Sequence, residues 1–173
     1  QDITLDQASS TFGTLALTGA NVAVTENAAT DLGASTVSGT LGITSAGAVT
    51  DSGTLAITGA TTISASGQDI TLDETASTFG SLLLTGANVA VTDAGAVDLG
   101  ASTVSGTLGI TSAGAVTDSG TLAITGATTI SASGQDITLD ESASTFGTLA
   151  LTGANVAVTD AGAIDQGAST IGG

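Results

Sequence analysis

The sequence predicts an all-β fold, a parallel β-helix (β-solenoid) that runs unbroken through residues 1–173. Three observations carry that expectation. The text repeats at an offset of 67 residues, with "QDITLD" at positions 1, 68 and 135. Within each copy, apolar residues alternate with small polar ones over short runs, the period-two pattern of half-buried strands. The texture does not change at the repeat boundaries, where "SASGQDITLD" crosses from one copy into the next.

The first two copies, 1–67 and 68–134, differ at nine positions, all between Gln7 and Thr30, and a partial third copy spans 135–173. So close a match means that each copy is an interchangeable stretch of one continuous structure, as in solenoids whose coils touch only their neighbours. In the second copy the strand-like runs are "DITLD" (69–73), "SLLLT" (81–85), "NVAVT" (88–92), "AVDLG" (96–100), "STVSG" (102–106), "TLGIT" (107–111), "AVTD" (115–118), "TLAIT" (121–125) and "TTIS" (128–131). Gly, Asn or Ser-Gly separates the runs, and Gly there gives the backbone the freedom of a tight turn. No stretch shows the 3.6-residue period of a helix. Nine runs per repeat suggest three strands per coil and about three coils per 67-residue repeat, or roughly 22 residues in each coil. An array of β-sandwiches also alternates. It would need a linker between units, and the sequence contains none.

Alternation also sorts the faces. Ile70, Leu72, Leu82, Leu84, Val89, Val91, Val97, Leu99, Leu108, Ile110, Leu122, Ile124 and Ile130 are expected to point inward. Phe12, Phe79 and Phe146 recur at one position and are expected to fill a wide spot in the core. Asp69, Thr71 and Asp73 have the opposite parity and are expected to face water. Asp118 is read as a surface acid.

Composition narrows the function. The chain has 16 acidic residues, no Lys, Arg or His, and no Cys. Phosphate contacts rest on Lys and Arg, so nucleic acid is an improbable partner. An anionic membrane surface is improbable for the same reason. No apolar run reaches the ~18 residues needed to span a bilayer. His, Lys, Cys and Tyr are the usual bases, nucleophiles and acids of enzymes, and the sequence holds none of them. A carboxylate pair of the glycosidase kind is the remaining catalytic option. Asp73 with Glu74, and Asp140 with Glu141, are adjacent in sequence and read more simply as solvated acidic corners. The expectation is therefore no catalysis.

Calcium is the one cofactor the residues allow, since it takes carboxylate and carbonyl oxygens. Its candidate ligands are Asp69, Asp73 and Glu74, and their counterparts Asp136, Asp140 and Glu141. The first copy has Gln7 in place of Glu74, one charge fewer. The long repeat is also expected to keep copies of the same acid from stacking on adjacent coils, where like charges ~4.8 Å apart would destabilise the sheet.

"GTLAITGATTISASGQDITLD", "STFGTLALTGANVAVT" and "GASTVSGTLGITSAGAVTDSG" give the chain a family resemblance. It resembles the repeat regions of filamentous-haemagglutinin-like bacterial exoproteins and giant repetitive surface adhesins. That resemblance implies a right-handed parallel β-helix, export to the cell surface or beyond, and a stalk or spacer role without catalytic residues. The alternative is a subunit of a self-assembling extracellular filament, sheath or biofilm matrix. In either case the expected partners are neighbouring repeats or further copies, end to end. The chain starts at Gln1 and reads as a piece of a longer array.

Overall fold

A computed structural model describes residues 1–173. It contains 24 β-strands and no helix, and every strand pairing is parallel. No helix is long and apolar enough to cross a membrane. The chain winds as a β-solenoid of about nine coils, with two principal sheets facing each other across one core. At ~4.8 Å per coil the rod is ~43 Å long.

The first sheet stacks Ile3–Leu5, Val22–Glu26, Leu41–Ser45, Ala60–Ser64, Ser81–Gly86, Val97–Leu99, Val116–Asp118, Ile137–Leu139 and Val156–Val158, in that order. The second stacks Thr14–Leu15, Thr30–Leu32, Val49–Asp51, Ile70–Leu72, Val89–Asp93, Leu108–Ser112, Ala127–Ser131, Thr148–Gly153 and Asp165–Gln166. Such order follows from the alternation. Each short run buries one row of side chains, and the coil above and the coil below satisfy its backbone groups. The inward rows merge into a single cluster of 35 buried apolar residues. All thirteen positions expected to point inward belong to it. Phe79 and Phe146 are buried as expected, and Phe12 is packed against the cluster at its N-terminal end.

The coil is shorter than the sequence suggested. Ile3 pairs with Val22 and Val22 with Leu41, an offset of 19 residues each. Ile70 likewise pairs with Val89, and Val89 with Leu108. Seven steps along the first sheet lead from Ile3–Leu5 to Ile137–Leu139, which is the same sequence two repeats later. The copy one repeat later, Ile70–Leu72, lies in the second sheet. One 67-residue repeat is therefore three and a half coils, where about three were expected. The expectation of ~22 residues per coil counted every run as a full side of a triangle. Several runs instead share a side.

Short strands on the narrow flank show the same half-turn. In the first part of the rod, Thr18–Gly19, Ser35–Val37 and Leu55–Ile57 form a three-stranded sheet. Each of them follows a second-sheet strand and precedes a first-sheet strand. Their later counterparts, Ser102–Val104 and Leu122–Ile124, follow a first-sheet strand and precede a second-sheet one. The flank has changed sides.

Glycine is required where two coils meet closely. Gly39 and Gly59 stack at a corner, with the Gly59 N–H donating to the Gly39 carbonyl at 2.9 Å. A Cβ on Gly59 would lie 2.6 Å from that carbonyl oxygen. Gly106 and Gly126 repeat the contact one repeat later.

Candidate functional site: carboxylate-stapled loops and coil corners

The most elaborate feature of the repeat is the loop after Ile70–Leu72, running from Asp73 to Phe79. It is tied down from both neighbouring coils. From the coil before, the Asp51 carboxylate accepts the Asp73 N–H at 2.8 Å and the Glu74 N–H at 3.4 Å. From the coil after, Asp93 accepts the Phe79 N–H at 3.2 Å and the Gly95 N–H at 2.7 Å. Between these, the buried Ser77 hydroxyl oxygen accepts the Leu55 N–H at 2.9 Å. The loop thereby satisfies inward-facing amides where no ladder partner exists, and it seats Phe79 in the core.

The other copies vary this plan. In the third, Asp118 accepts the Asp140 N–H at 2.8 Å and the Glu141 N–H at 3.4 Å, and Ser144 accepts the Leu122 N–H at 3.0 Å. In the first, Glu26 stands where Asp93 and Asp160 stand later, and its Oε1 accepts the Phe12 N–H at 2.6 Å. Glu26 Oε2 is buried without a partner, as is Asp160 Oδ2.

Asp118 is thus not the surface acid the sequence suggested: it is buried and holds a loop. In "AVTD" the alternation puts Asp118 on the same side as Val116. Preference of carboxylates for water argued the other way, and the two orphaned amides of the next coil decided it. The same parity places Glu26, Asp51 and Asp93 inside.

Burial pushes the Asp51, Asp93 and Asp118 carboxyls above the usual carboxylate range. The amide hydrogen bonds pull each of them back in part. For Asp51 the neighbouring Asp73 and Glu74 charges add to the rise, and for Asp118 the Asp140 charge does. Acids on adjacent coils therefore do meet. Copies of one residue are kept apart by the long repeat, but Asp51 and Asp73 are different positions. The half-buried Asp31 goes the other way: hydrogen bonds from Thr14 and Ser52 hold its carboxyl below the usual range.

A second recurrent feature is a corner ladder. Asp69 Oδ1 accepts the Asn88 N–H at 3.1 Å and its Nδ2 at 2.9 Å, and Asn88 Oδ1 accepts the Thr107 N–H at 3.1 Å. Asp2, Asn21 and Thr40 form the same ladder in the first copy, and Asp136 with Asn155 begins it in the third. The 19-residue coil aligns these residues axially, a relation invisible until that length is known.

The proposed calcium ligands do not come together. Asp69 and Asp136 are occupied with asparagine at the corner, before the strand. Asp73 and Asp140 are exposed and Glu74 and Glu141 half-buried at its other end, contributing backbone N–H groups to the staple. No group of three or more acidic side chains is placed to hold a metal ion. The adjacency of Asp73 and Glu74 does not create a glycosidase pair flanking a cleft either. The cavity in the molecule, about 200 Å³, lies at the C-terminal end of the core among Leu149, Leu151, Val156, Val158, Ile164 and Ile171.

A family model described as "Repeats of unknown function (DUF5649)" matches the chain twice, over residues 19–85 and 86–152. Each match is one 67-residue unit, and the second begins where the first ends. No curated protein and no solved structure matches the chain.

Proposed function

We propose, from the premise that the chain belongs to this family of repeats (DUF5649), that it is the structural stalk or spacer of a secreted or cell-surface bacterial adhesin, without catalysis. The observation that carries the reading is the continuity of the core. Its 35 buried apolar residues form one cluster across both repeat boundaries, so adding a repeat lengthens the rod without changing its packing. The features that recur from copy to copy hold coils together: staples, corner ladders and close glycine contacts. An acidic surface without Lys or Arg offers trypsin-like proteases no cleavage point, which suits a position outside the cell.

Immunogold labelling of intact bacteria with antibody to the repeat tests this reading. Gold should decorate unpermeabilised cells, and its distance from the envelope should increase with the number of repeats in engineered strains. Label that enters only after permeabilisation would overturn the reading.

A second reading is a subunit of a self-assembling extracellular filament, sheath or biofilm matrix. It draws on the parallel coil-to-coil pairing, which would join copies as it joins coils within the chain, and a head-to-tail contact that does not close makes a filament. Sedimentation of the purified chain separates the two: length distributions that grow with concentration favour the filament, and a fixed monomer favours the stalk.

A further inference from the structure

A repeat of three and a half coils has a consequence for anything that binds the rod. Moving one repeat along the chain advances the surface by ~17 Å, at ~4.8 Å per coil, and turns it by half a revolution. Thr62 illustrates this. It is exposed on Ala60–Ser64 in the first sheet. Its copy, Thr129, is exposed on Ala127–Ser131 in the second sheet, on the opposite side of the core. Thr4, Thr71 and Thr138 likewise fall in the first, second and first sheets in turn. The corner ladders obey the same rule, with Asp2 leading into the first sheet, Asp69 into the second and Asp136 into the first again.

We infer that an array of these repeats is a two-sided scaffold: a partner that recognises the outer surface of one repeat is bound alternately on opposite faces of the rod. Copies on one face are then two repeats apart, seven coils or ~34 Å. That spacing admits a folded globular protein at every site. With a whole number of coils per repeat, all sites would share one face ~14 to ~19 Å apart, and a globular partner at one would block the next. The half-turn thus lets every repeat be occupied by partners about the width of a small domain. It also sets a parity rule: removal of one repeat turns all structure beyond it by half a revolution, and removal of two restores the original direction. Neither consequence depends on whether the rod is a stalk or a filament.

The chain has no cysteine, so thiol handles can be placed without background. The test uses Thr62→Cys/Thr129→Cys, biotinylated through a short linker and saturated with monovalent streptavidin, with stoichiometry read by mass photometry. Each single-cysteine chain serves as the accessibility control and should bind one streptavidin. The double variant should bind two. Thr50→Cys/Thr71→Cys, kept reduced until it is labelled and with its residues paired directly within the second sheet, should bind only one. One streptavidin per Thr62→Cys/Thr129→Cys chain, with both single variants binding normally, would place the two sites on one face and overturn the inference.

Discussion

Replacing Asp118 by alanine tests the role assigned to the inward acids. The carboxylate is buried and accepts two backbone N–H groups, from Asp140 and Glu141, that have no ladder partner. A buried donor left without an acceptor costs ~1 to 3 kcal/mol. The Asp140 bond, at 2.8 Å, should contribute most of this, and the 3.4 Å bond to Glu141 little. Against the loss stands the relief of a desolvated charge facing Asp140, which offsets part of it. The net expectation is a destabilisation of ~1 to 2 kcal/mol, concentrated in the loop from Asp140 to Phe146. Amide hydrogen exchange at Asp140 reads the loss locally. Since 1.4 kcal/mol is a factor of ten, protection there should fall ~5- to 30-fold, while the Asp73 amide, held by Asp51 one repeat earlier, should be unchanged. Asp118→Asn keeps one acceptor and removes the charge, so it should lose less. Unchanged exchange at Asp140 in the alanine variant would refute the claim that the acid holds the loop.

Other expectations follow from the same contacts. Asp51, Asp93 and Asp118 have raised folded-state pKa values, so the stability linked to them is greatest where they are protonated and is lost as pH rises through those values. Asp31, held low, opposes this only when pH falls through its own depressed value. The thermal midpoint should therefore be higher near pH 4 than at pH 7, and Asp118→Asn should shrink the difference; a midpoint that falls on mild acidification contradicts this. Leu122 is fully buried, so Leu122→Ala should cost ~2 to 5 kcal/mol in urea titrations. The Thr61 and Thr128 hydroxyls are buried without partners. Thr128→Val removes the orphaned group at nearly constant shape and should raise the midpoint by ~2 to 4 °C for each ~1 kcal/mol regained. Gly59→Ala would force a Cβ against the Gly39 carbonyl and should open that corner, seen as lost protection of the Gly59 amide.

Much of this architecture is legible from alternation alone. "TLAIT" and "NVAVT" fix which side chains point inward, because period two leaves no choice once one residue of the run is apolar. Coil length is not legible in the same way. A run such as "SLLLT" extends around a corner: Leu82 pairs with Leu99, while Thr85 pairs with Thr103 on the flank. Counting runs as sides therefore overestimates the coil, and the half-turn between repeats is lost with it. The staples are not legible for another reason. Asp51 and Asp118 have inward parity, but their partners are main-chain amides of the next coil, which no side-chain pattern reveals. The calcium candidates are not gathered at one point, because Asp69 and Asp73 flank a strand and sit at its opposite ends, with Asn88 already bound to the first.

Coil length is the quantity on which the rod, the alternating faces and the parity rule all depend, and disulfide scanning measures it in solution. Paired residues on adjacent parallel strands come within the ~4.4 to 6.8 Å Cα separation a disulfide requires. Thr71 pairs with Ala90 in the second sheet, 19 residues on. Under mild oxidation Thr71→Cys/Ala90→Cys should cross-link within one chain, and Thr71→Cys/Thr92→Cys, offset by two further residues along the strand, should not. Efficient cross-linking to position 92 and none to position 90 would restore the longer coil and contradict the three-and-a-half-coil repeat.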